Sequence, residues 1–291
     1  MIALIAVMTV IALVLVVLAF ERIQRNPASG EVAPVPTFSL GVTPAPTASS
    51  TPTPTATPVE ESSERFLTTS DSGILWRGVA GSCADGVSPS LERSEDGGQT
   101  WEDVTPQYLG ITQIAAIAAT GTATQATIVA SIGEDCRLQG LRTFTDGEFW
   151  EVYEDVLPSA TYLSFGETAQ LMTSGATVDT PCAEPRSARG ADGRVALVCD
   201  GEAQTFQDGE WAALDVPGAI AVAVQDDAVV VAHAADSCDG IALSVVRDDS
   251  GPVDTGCAEG LDPGSPTAIA SDGDAIMVWS GDQMASIGLG G

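Results

Sequence analysis

The sequence predicts an all-β domain, a β-propeller of six four-stranded blades with five as the alternative count. Three observations predict it. Beyond residue 62 the chain is a succession of short apolar runs separated by Gly, Asp, Ser and Thr, with no sustained 3.6-residue periodicity. A hairpin-like unit recurs along it, and Asp-Gly pairs, which favour tight hairpin turns, sit between apolar runs. Repeats of this size point to a propeller or a solenoid.

The unit is a small-residue strand, a turn, and a more apolar strand. Phe66–Ser70 turns into Ile74–Ala80, and Ile111–Ala119 into Ala126–Ile132. Tyr162–Phe165 turns into Ala169–Thr173, and Arg186–Gly190 into Arg194–Cys199. Ala219–Val224 turns into Ala228–Ala234, and Thr267–Ala270 into Ala275–Trp279. A third strand and a second turn follow most units. Ser90–Arg93 leads to Ser94-Glu95-Asp96-Gly97-Gly98-Gln99-Thr100-Trp101, and Leu141–Phe144 to Thr145-Asp146-Gly147-Glu148-Phe149-Trp150. Ala203–Phe206 leads to Gln207-Asp208-Gly209-Glu210-Trp211. The unit at Tyr162–Ala176 and the last unit lack a clear fourth strand. Ring closure is expected to borrow Arg65–Ser70 as the missing outer strand of the last blade.

The turn at Ser94, Asp96, Gly98 and Trp101 carries every defining position of S-x-D-G-G-x-T-W. An Asp there accepts backbone N–H bonds within its own turn, the glycines permit positive φ, and the Trp packs back over the hairpin. Asp146, Gly147 and Trp150, and Asp208, Gly209 and Trp211, keep Asp-Gly and the Trp but lose the Ser. On these residues the region from about Ser62 to Gly291 resembles the Asp-box (BNR-repeat) β-propellers, the structural family that includes the sialidases. The resemblance implies fold; the box is a structural turn and carries almost no functional information.

Two segments precede this domain. Ile2–Phe20 is an unbroken apolar run, long enough at 1.5 Å per residue to cross a bilayer core, and residues 1–25 read as a transmembrane signal anchor. Residues 26–61 read as a Pro/Thr-rich stalk, since Thr43–Pro58 is almost entirely Thr, Pro, Ala and Ser. Residues 62–291 form the propeller. Arg22 and Arg25 follow the apolar run, which taken alone favours a cytoplasmic C-terminal side. Six cysteines beyond it favour the opposite, so the expected location is a single-pass cell-membrane protein with its C-terminal domain extracytoplasmic.

The formal net charge is -29, from 40 acidic residues against 11 basic ones, all Arg. Such a surface repels phosphate, so no nucleic-acid partner is expected. The partners expected are the membrane, through the N-terminal helix, and an unknown protein or glycan ligand.

Cys83, Cys136, Cys182, Cys199, Cys238 and Cys257 contain no C-x-x-C pair, and the chain holds one His, so disulfides explain them better than zinc. Six cysteines allow fifteen connectivities. With strands lettered A to D in each blade, all six fall on the edge bearing the B–C and D–A connections, opposite the Asp-Gly turns. That placement suggests the local pairs Cys83–Cys136, Cys182–Cys199 and Cys238–Cys257.

No catalytic residue is expected. Sialidases use an Arg cluster, a Tyr nucleophile with its Glu, and an Asp. Here Arg93, Arg142 and Arg247 recur as a repeat position on third strands, and Tyr108, Tyr153 and Tyr162 have no recognisable Tyr/Glu setting. His233 lies in the apolar run Val229–Ala234 and reads as a structural strand residue. No cofactor is expected; the oxygen-rich turns at Asp226-Asp227, Asp236/Asp239, Asp248-Asp249 and Asp272/Asp274 leave structural calcium as the one metal worth naming. Trp76, Trp101, Trp150, Trp211 and Trp279 read as packing residues. The leading reading is a non-catalytic binding or scaffold module, with the cysteine-bearing edge as its binding face. The rivals are an extracytoplasmic, sialidase-like glycoside hydrolase and an assembly factor for a membrane protein complex.

Overall fold

The computed structural model describes residues 63–119, 121, 124–165, 169–191, 193–225, 227–248 and 250–289. The expected anchor at 1–25 and stalk at 26–61 lie outside them.

Strand placement follows side-chain size. Six inner strands converge on one axis: β1 (Arg65–Thr69), β5 (Ile111–Ala119), β9 (Tyr162–Leu163), β12 (Arg186–Ala191), β16 (Ala219–Gln225) and β20 (Thr267–Ser271), and all but β1 and β9 carry alanines. Each pairs antiparallel with a second strand: β2 (Leu75–Val79), β6 (Ala126–Ile132), β10 (Gln170–Thr173), β13 (Arg194–Cys199), β17 (Ala228–His233) and β21 (Ala275–Ser280). Neighbouring blades cover both faces of these second strands. The best covered of them read as near-continuous apolar runs, and every residue of β13 and β17 is buried.

The third strands are β3 (Ser90–Ser94), β7 (Arg137–Thr143), β11 (Ala176–Asp179), β14 (Glu202–Gln207), β18 (Gly240–Arg247) and β22 (Gln283–Gly288). Four blades add an outer strand: β4 (Glu102–Asp103), β8 (Glu151–Val152), β15 (Glu210–Pro217) and β19 (Val253–Glu259). Among the described residues the third and sixth blades stop at three strands, as their sequences suggested.

The inner strands contact in the cyclic order β1, β5, β9, β12, β16, β20 and back to β1, so six blades close the ring. Closure differs from the sequence expectation. Arg65–Thr69 pairs with Leu75–Val79 as the innermost strand of blade 1 and is not lent to blade 6. The seam between them is held by packing: Arg65 lies over the Trp279 ring at 4.1 Å and donates from Nη1 to the Gly281 carbonyl, while Arg77 lies 4.9 Å from the same ring.

The blade 1–blade 2 seam holds the largest buried rings. Trp76 and Trp150 meet edge to face with centroids 6.0 Å apart, among Leu91, Ile114, Ile128 and Leu141. Such pairs add about 0.5–1.5 kcal/mol to their burial. On the other face of blade 2, helix α1 (Val156–Ser159) leads towards blade 3 and packs on β7 at Gly140. A Cβ on Gly140 would stand 2.7 Å from both Val156 Cβ and Leu157 N, so only glycine admits the helix.

Candidate functional site

Three regions concentrate polar groups: the axis, the Asp-Gly turns, and the cysteine edge.

On the axis a cavity of about 410 Å³ is lined chiefly by inner-strand residues, among them Phe66, Ile117 and Ile269, together with Thr68, Thr127, Thr161 and Ser271. One large polar side chain enters it, Arg189 of blade 4. Its bulged strand supplies the direction: Ser187 takes φ +52° and the β12–β13 register shifts between Arg186 and Arg189. The guanidinium donates to the carbonyls of Ala188 and Arg65, lies 4.9 Å over the Phe66 ring, and reaches Glu64 Oε1 at 3.5 Å. In a six-blade ring, blades 1 and 4 stand opposite, so this group spans the axis. Burial pushes the Glu64 carboxyl above the ordinary range, while Arg189, Arg186 and the Ser187 backbone pull it back. No sequence repeat pointed to this pair. The signal available was an Arg-Gly pair in an inner strand where blades 2, 5 and 6 place alanines.

In the first turn Asp96 Oδ1 accepts from the Gln99 and Thr100 N–H groups at 2.9 and 2.8 Å, and Oδ2 accepts from Thr100 Oγ1 at 2.6 Å. These bonds, with the Ser94 hydroxyl, hold its carboxyl down to about 2. Ser94 Oγ accepts from the Gly98 N–H at 2.9 Å, and Trp101 Nε1 donates to the Gly98 carbonyl at 3.0 Å.

The second copy corrects the sequence alignment. Thr143 Oγ1 takes the Ser94 role, accepting from the Gly147 N–H at 3.1 Å, and Thr145 Oγ1 takes the Asp96 role, accepting from the Phe149 N–H at 3.0 Å. Asp146, with φ +58°, therefore stands where Gly97 does, and its carboxylate is free of the turn. The third copy is a two-residue hairpin, with Asp208 and Gly209 at φ +54° and +89° between the paired Gln207 and Glu210. Its Trp211 donates to the Asp179 carbonyl of blade 3 at 2.9 Å.

The repeated arginines are occupied within the fold. Arg93, 5% exposed, meets Asp146 of blade 2 at 2.7 Å and Glu95 at 2.6 Å. Arg142 meets Asp155 at 2.7 Å, and Arg194 of blade 4 meets Asp248 of blade 5 with both ends of its fork. Arg247 is more exposed and 3.8 Å from Asp227. Of the tyrosines, Tyr108 donates to the Trp150 carbonyl at 2.9 Å, Tyr153 packs on Phe144, and Tyr162 is buried, which raises its phenol further from ionisation.

His233 belongs to a relay that sequence reasoning missed. Its Nε2 lies 2.9 Å from Ser244 Oγ, and that hydroxyl donates to Asp254 Oδ1 at 2.8 Å. The order is His, Ser, Asp with serine in the middle. A nucleophilic serine needs the histidine between it and the carboxylate, to accept its proton. Here the serine proton is committed to Asp254, so the relay fastens three strands of blade 5.

On the cysteine edge, Cys83 bonds Cys136, Cys182 bonds Cys199, and Cys238 bonds Cys257, the pairs that strand placement suggested. Beside Cys238 a recess of about 570 Å³ carries Asp236, Asp239 and Asp262. Asp262 serves its own turn, accepting from Gly264 N–H and Ser265 Oγ, and Asp272 likewise accepts from the Asp274 and Ala275 N–H groups. Among the described residues no three His, Cys, Asp or Glu side chains gather in a metal-holding group. Asp226 and Asp249 lie outside the described residues.

No protein-family model matches this chain, and no curated protein does. Solved structures similar to it include the Aleuria aurantia lectin, a six-bladed β-propeller, at 11% identity and TM-score 0.45, covering 77% of this chain and 94% of that one. YCF48 bound to D1 peptide is similar at 17% identity and TM-score 0.40, covering 78% of each chain. The GH74 enzyme of Niastella koreensis is similar at 10% identity and TM-score 0.42, and 76% of this chain spans 44% of that one. By the closure of its own inner strands, the described chain is a six-bladed β-propeller.

Proposed function

We propose that this chain is a non-catalytic binding or scaffold module of the Asp-box propeller kind, held at a cell membrane by its N-terminal segment with the propeller on the extracytoplasmic side. The observation that carries the binding reading is the use of its arginines. Arg93, Arg189 and Arg194 each bridge two blades, so the groups that would grip an acidic substrate brace the ring. Three disulfides support an oxidising compartment. The turn at Ser94–Trp101, with every bond of the box made, supports the family reading.

The reading is tested by incubating the oxidised chain with a fluorogenic glycoside panel that includes a sialoside and an arabinofuranoside. The expected result is no release above the protein-free blank; saturable turnover would overturn it. Anchoring is tested by alkaline carbonate extraction of membranes, where the chain stays in the pellet, and orientation by protease added to intact cells, where the propeller is cut.

A further inference from the structure

Among the described residues, four of the six large apolar side chains that stand exposed lie in the stretch between residues 108 and 152: Tyr108, Phe144, Phe149 and Val152. Two of them, with Tyr153, build a shelf. In blade 2, Arg142 pairs with Glu151 and Gly140 stands opposite Tyr153, so Gly140, Arg142, Phe144, Glu151 and Tyr153 share one face of the sheet. Gly140 is the residue on which α1 packs on its way to blade 3, so this face looks towards blade 3. Phe144 meets Tyr153 edge to face at 5.8 Å, and Phe149 projects from the turn into β8, 64% exposed.

Among the described residues blade 3 supplies no outer strand beside the shelf. It ends at β11, whose outer edge pairs with no strand among the described residues. At the preceding seam the corresponding space is filled: Val104, next to the outer strand of blade 1, packs on Gly147 and accepts the Trp150 indole N–H at 3.3 Å. Blade 3 therefore combines a strand edge that has no strand partner among the described residues, though its Asp179 carbonyl already holds the Trp211 indole of blade 4, with an aromatic face beside it, the two components of strand addition.

Charge selects the occupant. Glu148, Glu151, Glu154 and Asp179 are exposed, while Arg142, the cation on the shelf's own face, is already paired with Asp155. Tyr153 already carries a guanidinium over its ring, that of Arg142 at 4.8 Å. Further cations over Phe144 and Phe149 would gain the same attraction together with the carboxylates.

We infer that the shelf between blades 2 and 3 is a docking site for an extended cationic segment of a partner protein, alternating Lys or Arg with apolar residues, laid along β11 as the missing fourth strand. The inference deepens the binding-module reading and rests on it.

The test is fluorescence anisotropy of the full chain with a nine-residue peptide alternating Lys and Val, beside a Glu–Val twin and a flexible Gly–Lys peptide. The Lys–Val peptide binds, and the other two bind at least about tenfold more weakly. Phe149→Ser, alone or with Phe144→Ser, weakens the Lys–Val peptide by about tenfold with the urea midpoint unchanged. Glu148→Gln with Glu151→Gln weakens it and flattens its salt dependence, while Val253→Ser on blade 5 leaves it unaltered. Equal binding of Lys–Val and Gly–Lys peptides, or equal binding by Phe149→Ser, overturns the docking site as general attraction to an acidic surface. A dimer in sedimentation that Phe149→Ser dissolves overturns it in favour of a second copy. In each of these cases the binding-module reading stands so long as the glycoside panel stays silent; turnover there removes that reading itself.

Discussion

Arg93 Nη2 lies 2.7 Å from Asp146 Oδ1, and the bond crosses the seam between blades 1 and 2. Asp146 can make it because Thr145 has taken over the hydrogen bonds of its turn. A double-mutant cycle of Arg93→Gln and Asp146→Asn in urea denaturation is expected to give a coupling of about 1–2 kcal/mol, below the value for a fully buried pair because Asp146 is 40% exposed. A coupling near zero would reduce the seam bond to a surface contact.

Asp96 makes the first turn sensitive to acid. Its folded pKa, about 2, lies below the ordinary 3.8. The stability it adds is therefore complete above the ordinary value and drains away as pH falls through about 2. The urea midpoints of the parent and Asp96→Asn should be separated at pH 5 and approach each other as the pH falls to 2 and below.

The disulfides differ in the loops they close. Cys83–Cys136 closes 53 residues, against 17 and 19 for Cys182–Cys199 and Cys238–Cys257. In the chain-entropy model that makes it worth about 4 kcal/mol and the others about 3 kcal/mol each. Replacing each pair by serines should rank their unfolding free energies in that order. A reversed ranking would mean that the reduced, unfolded chain keeps blades 1 and 2 together.

Gly140→Ala should cost about 1–3 kcal/mol, because its methyl meets the α1 backbone and Val156. Faster amide exchange in Val156–Ser159, with blade 5 unaffected, would locate the damage. An unchanged melting temperature would show that α1 yields freely.

Ser244→Ala removes the middle of the blade 5 relay and leaves buried His233 without its Nε2 partner. The expected loss is about 1–3 kcal/mol in urea. A fluorophosphonate probe should leave Ser244 unlabelled in the parent. Labelling would mean the hydroxyl is nucleophilic, which its bond to Asp254 opposes.

Much of the fold was legible because a blade repeats its physics locally. A strand covered on both faces must read like Val229–Ala232, and a two-residue turn with positive φ at both positions must read like Asp208-Gly209. The cysteine pairs followed from which edge each strand end reaches. What stayed hidden depends on atoms the repeat does not specify. Thr145 replaces Asp96 through a single hydroxyl, so an alignment on Asp-Gly slips by one residue. Arg189 finds Arg65 124 residues away, across the axis, and no local pattern encodes that distance. The shelf on blade 2 shows only once blade 3 is seen to stop short, since Phe144 and Phe149 in sequence look like any strand residues.

Among the described residues no strand is exchanged between blades 1 and 6, so all six joints of the ring are made between complete sheets. Arg65–Thr69 belongs wholly to its own sheet, so the seam where blade 6 meets blade 1 shares no strand, and side chains such as Arg65 over Trp279 cross it where a covalent loop carries the chain from Glu259 to Thr267. The order in which the blades are encoded is then a convention of the gene. A propeller domain circularly rearranged to start at blade 6, with Gly288 joined to Arg65 by a short loop, would build the same wheel.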